Sequence, residues 1–145
     1  MRIVVLNGPS LNLLGTREPA VYGSDTLADI ERRMRALAGE LGVTLEFEQR
    51  NGEGDLIECV HAMQGHADGA IVNAGAYSHS SLALRDAFAA VRVPFVEVHL
   101  TNIYAREPER RHSVLAAGAA AVLCGFGAVG YELALRGLTS RLARG

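Results

Sequence analysis

Residues 2–43 read RIVVLNGPSLNLLGTREPAVYGSDTLADIERRMRALAGELGV, and this stretch decides the fold. The apolar run Arg2 to Leu6 has the pattern of a buried strand. Leu27, Ile30, Met34, Leu37 and Leu41 fall on one stripe of a helix that begins at Thr26-x-x-Asp29 and stops at Gly42. Between them, the loop from Asn7 to Ser24 is about three times as long as the two to six residues usual between strand and helix in an α/β unit. It carries Arg17 and Tyr22 between Gly15 and Gly23. A long glycine-bounded loop at the carboxyl end of a first strand is the place for an active-site lid, here about residues 15–24.

The same alternation continues outward. Val43, Leu45 and Phe47 alternate with Thr44, Glu46 and Glu48, which predicts a strand nearer a sheet edge. A helix is predicted around Glu53–His66, burying Leu56, Val60 and Met63. Ala70-Ile71-Val72 reads as a short buried strand and is followed by a helix near Ser81–Val91. Phe95-Val96-Glu97-Val98-His99 is the fourth strand, and a second long loop runs from Leu100 to about His112. A short helical stretch, the strand Ala120–Cys124 and a helix from about Gly130 to Leu142 complete the chain. Such βα alternation implies a parallel sheet covered on both faces with right-handed crossovers. Five strands in 145 residues fit a flavodoxin-like doubly wound α/β fold in a single domain, residues 1–145.

Composition narrows the function. With 49% hydrophobic and 21% charged residues the chain reads as an ordinary globular protein. A net charge of −2 gives no reason to expect nucleic acid or an anionic membrane. There is no 18-residue apolar run and no signal-peptide pattern, so the expectation is a cytoplasmic protein with no membrane partner. Cys59 and Cys124 sit in apolar contexts and are read as reduced core thiols. All fourteen basic residues are arginine. The absence of lysine removes lysine Schiff-base chemistry and lysine-anchored cofactors.

Several motifs compete for the function. Gly125-Phe126-Gly127-Ala128-Val129-Gly130 matches G-x-G-x-x-G, yet the chain ends before the acidic ribose partner that a dinucleotide site needs. Tight strand-to-helix packing is the favoured reading, and a nucleotide-binding module is the alternative. No phosphoacceptor carboxylates, G-x-S-x-G elbow or P-loop are present, and His61 and His66 do not share a helix face as metal ligands would.

What remains are polar residues at the carboxyl ends of strands, where open α/β sheets bind ligands. Asn7, Asn73 and His99 end three strands predicted to be central. Glu97 and His99, two apart on a strand, point to one face, so the carboxylate either fixes the imidazole for catalysis or forms a structural pair with it. His79 is expected to open a helix with Asp86 two turns along the same face, either as site residues or as solvated ones. Arg106, Arg110 and Arg111 crowd the second loop with Glu107 and Glu109, as anion binders or as a solvated cluster. An unperturbed tyrosine is about one part in a thousand phenolate at neutral pH, a deficit of roughly 4 kcal/mol. A guanidinium beside it recovers part of that deficit and cannot compete for the proton. Arg17 and Tyr22 are candidates for such a pair; Tyr22 as a packed loop anchor is the other reading.

Taken together, NGPSLNLLGTREPAVYG at 7–23, QRNGEGDLIE at 49–58, VNAGAYSHSSLALRDA at 72–87, VEVHLTNIYARE at 96–107, RRHS at 110–113 and CGFGAVGYELAL at 124–135 closely resemble the type II 3-dehydroquinate dehydratases. The resemblance spans essentially the whole chain. It implies a hydro-lyase that interconverts 3-dehydroquinate and 3-dehydroshikimate through an enolate, in the shikimate pathway or in quinate catabolism, with no metal, Schiff base or other cofactor. On it, Tyr22 matches the base, Arg17 its charge partner, His99 the general acid and Glu97 the support of that acid. Asn73, His79, Asp86 and Arg110 match substrate-binding positions, and Leu100 and Thr101 match the pair whose backbone amides receive the substrate carboxylate. The resemblance also implies a homo-oligomer, a dodecamer of trimers, in which Asp86 reaches a neighbour's site. Family members generally read NGPN where this chain has Asn7-Gly8-Pro9-Ser10. The missing asparagine helps hold a water near the enolate oxygen. Ser10 therefore implies reduced or retuned activity, at the extreme a rate-impaired or altered-specificity relative that binds a hydroxy acid. Pro108-Glu109, just before Arg110, is a smaller departure.

Overall fold

Alternate residues of the central strands part to opposite faces of one sheet. The computed structural model describes residues 1–16 and 18–145, and Arg17 lies outside the described residues. The strands are β1 (Arg2–Asn7), β2 (Thr44–Gln49), β3 (Gly69–Asn73), β4 (Phe95–His99) and β5 (Ala121–Cys124), all parallel, in the order β2-β1-β3-β4-β5. This is the flavodoxin-like order, with β2 at an edge and β1, β3 and β4 in the centre, as the sequence predicts.

The helices are α1 (Pro19–Tyr22), α2 (Leu27–Leu41), α3 (Glu53–His61), α4 (Leu82–Val91) and α5 (Val129–Ala143). Ile3, Val5, Ile71, Val96 and Val98 pack against α2 and α5 through Ile30, Met34, Leu37, Tyr131, Leu135 and Leu138. On the other face Val4, Leu6, Ala70, Val72 and Phe95 meet α3 and α4 through Leu56, Val60, Leu84 and Phe88. Because both faces are covered, the central strands are apolar at consecutive positions rather than at alternate ones. The Thr26–Asp29 capping box forms as expected, with Thr26 Oγ1 accepting from Asp29 N at 3.1 Å and Thr26 N donating to Asp29 Oδ2 at 3.0 Å. The Thr26 backbone amide, then Arg32 and the Thr26 hydroxyl, hold the Asp29 carboxyl down at about 2.

Three local readings need correction. The helix predicted around Glu53–His66 stops at His61, and turns carry the chain to Gly65 at φ +69°. Met63 stays buried, so the apolar spacing persisted past the last helical residue and disguised the end. His79 does not open α4: it ends a 3-10 turn over Gly75–His79, and Ser81 caps the helix by accepting from Leu84 N at 2.9 Å. His79 and Asp86 therefore share no helix face. Cys59 and Cys124 are free thiols and only half-buried; Cys59 packs against the edge of the α3/α4 core, and Cys124 lies outside both core clusters.

Close backbone approach fixes the start of the first long loop. A Cβ on Gly8 would lie 2.3 Å from the Ala74 carbonyl oxygen, so only glycine lets this loop cross the end of β3, where Gly8 N donates to Asn73 O at 2.8 Å. At the other end of the chain a Cβ on Gly130 would lie 3.3 Å from Leu123 Cδ2, and Gly127 N donates to Leu100 O at 2.9 Å. The glycine-rich segment thus packs α5 against β5 and braces the residues after β4.

Candidate active site

The carboxyl ends of β1, β3 and β4 and the two long loops enclose a cavity of about 270 Å³. Ser10, Tyr22, Asn73, His79, His99, Leu100, Thr101 and Arg110 line it, together with Arg106. A broader open groove beside it shares Tyr22, Leu100, Thr101, Arg106 and Arg110. Strand parity brings these groups in from both sides of the sheet. Asn73 lies on the face covered by α2 and α5, and Glu97 and His99 lie on the face covered by α3 and α4.

His99 Nε2 meets Glu97 Oε2 in a short hydrogen bond, with Glu97 fully buried and His99 nearly so. The Ser113 hydroxyl donates to the other carboxylate oxygen, Oε1, at 2.8 Å. An ionised carboxylate only accepts, so Nε2 carries its hydrogen toward Glu97 and Nδ1 is the nitrogen left to exchange a proton with a ligand.

His79 stacks 6.0 Å from the His99 ring. Its Nδ1 donates to the His112 carbonyl at 2.6 Å, while His112 Nε2 donates back to the His79 carbonyl at 3.0 Å. Burial pushes His79 below the ordinary histidine value; the bond to the His112 carbonyl opposes this, and His99, Arg110 and His112 add to it. A neutral His79 with Nδ1 protonated offers Nε2 as an acceptor for a ligand hydroxyl.

Tyr22, at the end of α1, receives a hydrogen bond on its phenolic oxygen from Arg106 Nη1 at 3.0 Å, and the Arg106 guanidinium lies 5.2 Å from the ring centroid. A guanidinium aimed at that oxygen stabilises negative charge developing there. The sequence reading gave this role to Arg17, which lies outside the described residues, and left Arg106 among the loop charges. Arg110 reaches the cavity while its Nε donates to Glu107 Oε1. The Glu107 backbone amide and Arg110 hold the Glu107 carboxyl below the usual carboxylate range.

The model of the family "Dehydroquinase class II" matches residues 1–139. This chain belongs to the class II dehydroquinases. It is 62% identical over 142 residues to a 3-dehydroquinate dehydratase of Gemmatimonas aurantiaca, covering 98% of this chain and 93% of that one. The crystal structure of the type II dehydroquinase from Propionibacterium acnes superposes with a TM-score of 0.92 at 39% identity, covering 96% of each chain. That from Butyrivibrio crossotus gives a TM-score of 0.94 at 35% identity, covering 96% of this chain and 97% of that one.

Within this dehydroquinase-family chain, not every predicted site residue reaches the cavity. Asn7 is fully buried behind it, with Nδ2 donating to the Glu48 carbonyl at 3.0 Å. The Asp86 side chain is 75% exposed, 3.7 Å from Arg85, and lines no part of the cavity of its own chain. Ser10 lines the cavity in the left-handed region at φ 67°, with its amide donating to Asn51 Oδ1 at 3.0 Å. Gln49 Nε2 donates to the same Asn51 oxygen and to the Gly8 carbonyl, each at 3.0 Å. The QRNG stretch therefore braces the first loop.

Arg106 is among the loop arginines that the sequence offers as anion binders, whereas Ser113 and Tyr131 are not singled out by it. Tyr131 could have been found, because it lies in the apolar stripe of α5 with Leu135 and Leu138, and a buried tyrosine hydroxyl needs a partner.

Proposed function

We propose that this chain is a hydro-lyase that removes water from 3-dehydroquinate to give 3-dehydroshikimate, and catalyses the reverse addition. The observation that carries the reading is the pairing, across one small cavity, of a guanidinium-bonded tyrosine with a carboxylate-backed histidine. Tyr22, as phenolate, takes the proton from C2 beside the ketone, and the electron pair passes into an enolate. Arg106, with Arg17, stabilises the negative charge. The enolate then expels the C1 hydroxyl, to which His99 Nδ1 gives its proton, so that water leaves and Glu97 holds the imidazole in place.

Asn73, His79 and Arg110 bind substrate hydroxyl and anionic groups, and the backbone amides of Leu100 and Thr101 receive the carboxylate. Ser10 stands where a water near the enolate oxygen would be held. The reaction so drawn needs no cofactor, and the chain has no lysine for an imine route.

We place the enzyme in the cytoplasm, in the shikimate pathway of aromatic amino acid synthesis or in quinate catabolism. We propose that it assembles as a dodecamer of trimers, in which Asp86 serves a neighbouring copy's cavity. Among the described residues no helix is long and apolar enough to cross a membrane. Purified protein mixed with 3-dehydroquinate should generate the ultraviolet absorbance of the conjugated enone acid. No signal at micromolar enzyme would overturn the proposal.

A further inference from the structure

Behind the cavity, four hydrogen bonds run in series across the carboxyl ends of three strands. Asn7 Nδ2 donates to the Glu48 carbonyl at 3.0 Å. The Tyr131 hydroxyl donates to Asn7 Oδ1 at 2.7 Å, and Asn73 Nδ2 donates to the Tyr131 oxygen at 3.0 Å. Asn73 Oδ1 accepts from Gly75 N at 3.2 Å. The two ends are backbone groups whose roles cannot reverse, because a carbonyl only accepts and an amide N–H only donates.

Every group between them is therefore oriented. A carbonyl at Glu48 requires the NH₂ end of Asn7, which turns Oδ1 toward Tyr131. The single phenolic hydrogen is then committed to Asn7, so Tyr131 can only accept from Asn73. The amide N–H of Gly75 independently requires Oδ1 of Asn73 on its side. Asn7 and Asn73 face each other in the β1–β3 register, so one hydroxyl suffices to bridge them.

We infer that Tyr131 is a positioning residue, which fixes the amide of Asn73 so that one Nδ2 hydrogen and one Oδ1 lone pair are held ready for the substrate. The inference rests on the proposed reading of Asn73 as a substrate-binding residue. Tyr131 is fully buried. Burial pushes its hydroxyl above the ordinary tyrosine value, against the bond from Asn73, so it remains a donor throughout the working pH range. Its ring belongs to the core beneath α5, and phenylalanine would fill the same space. The hydroxyl alone carries the effect.

The test is a double-mutant cycle with 3-dehydroquinate as substrate. Tyr131→Phe should lower kcat/KM about tenfold in the parent, because the Asn73 amide loses its buried acceptor and is left held by the Gly75 amide alone. In an Asn73→Ala background the same change should cost less than twofold. A loss that is the same in both backgrounds, or no loss in the parent, overturns the inference, since a purely structural role would act with or without Asn73. If Tyr131→Phe does not fold, Asn7→Ala frees the hydroxyl from the other end and should show the same non-additivity; an additive effect overturns the inference. An inactive parent would instead defeat the proposed function. The inference would then be read from the Asn73 side-chain amide in ¹⁵N–¹H spectra. Its hydrogens should exchange slowly in the parent and quickly in Tyr131→Phe, and equal exchange overturns it.

Discussion

Arg106 donates to the phenolic oxygen of Tyr22 at 3.0 Å, joining the two long loops across 84 positions of sequence. The Arg106 side chain is only 17% exposed, so solvent screens this contact less than it screens the other loop arginines. Its planar fork places a hydrogen on the oxygen proposed as the base, and a guanidinium keeps its charge across the working pH range.

Arg106→Gln is therefore expected to lower kcat by about a hundred- to a thousandfold, the range found for loss of a single charge-stabilising donor. Steady-state kinetics at pH 7.5, with far-ultraviolet circular dichroism as the folding control, check this. An unchanged kcat would move the whole role to Arg17.

Ser113 supplies the second hydrogen bond to the buried Glu97 carboxylate and also accepts from the amides of Leu115 and Ala116 at 3.1 and 3.2 Å. Losing a donor to a buried charged group costs about 1.5–3 kcal/mol. Ser113→Ala is expected to lower kcat about tenfold and Tm by roughly 5 °C. Ser113→Thr keeps the hydroxyl and should restore most of both. Parental kinetics in Ser113→Ala would show that His99 needs only one fixed side of Glu97.

The pH dependence of stability should carry the signature of His79. Its pKa is lowered in the folded chain by burial first, and raised in part by the His112 carbonyl. An unfolded histidine titrates near 6.5, so below that pH the unfolded chain binds a proton that the folded chain resists. Stability is therefore complete above about pH 6.5 and falls as the pH drops below it. Urea midpoints at pH 7.5 and 5.5 measure the difference. His79→Gln should shrink it, and an undiminished difference would place the titration elsewhere.

The layout of the fold was legible because it depends on periodicity. Apolar runs and helical stripes gave the five strands and their helices, and the alternation of Leu45 and Phe47 with glutamates put β2 at an edge. Asn7, Asn73 and His99 were legible as strand-end residues, since polar side chains closing apolar runs stand out. The partners of those residues were not. Arg106 and Ser113 lie in a loop without periodicity, and which of several arginines meets Tyr22 depends on how that loop folds. Tyr131 sits in an apolar helical stripe, where only the need of a buried hydroxyl for a partner marks it out. His79 and Asp86 were joined in error because seven residues equal two helical turns only if the helix has already begun, and here Ser81 caps it after His79.

Ser10 holds a backbone conformation that suits serine poorly. Its φ of 67° lies in the left-handed region, which asparagine and glycine enter at less cost than other residues, and its amide is tied there by Asn51. The penalty for a side chain in that region is about 1 kcal/mol. Ser10→Asn is therefore expected to raise Tm by a few degrees, and to raise kcat by giving the cavity a longer amide donor. Ser10→Gly separates the two effects: it relieves the backbone but adds no donor, so Tm should rise while kcat does not. Thermal melts and steady-state kinetics on the two variants decide the matter. A Ser10→Asn enzyme that melts higher yet turns over more slowly than the parent would show that this cavity is adapted to the shorter side chain.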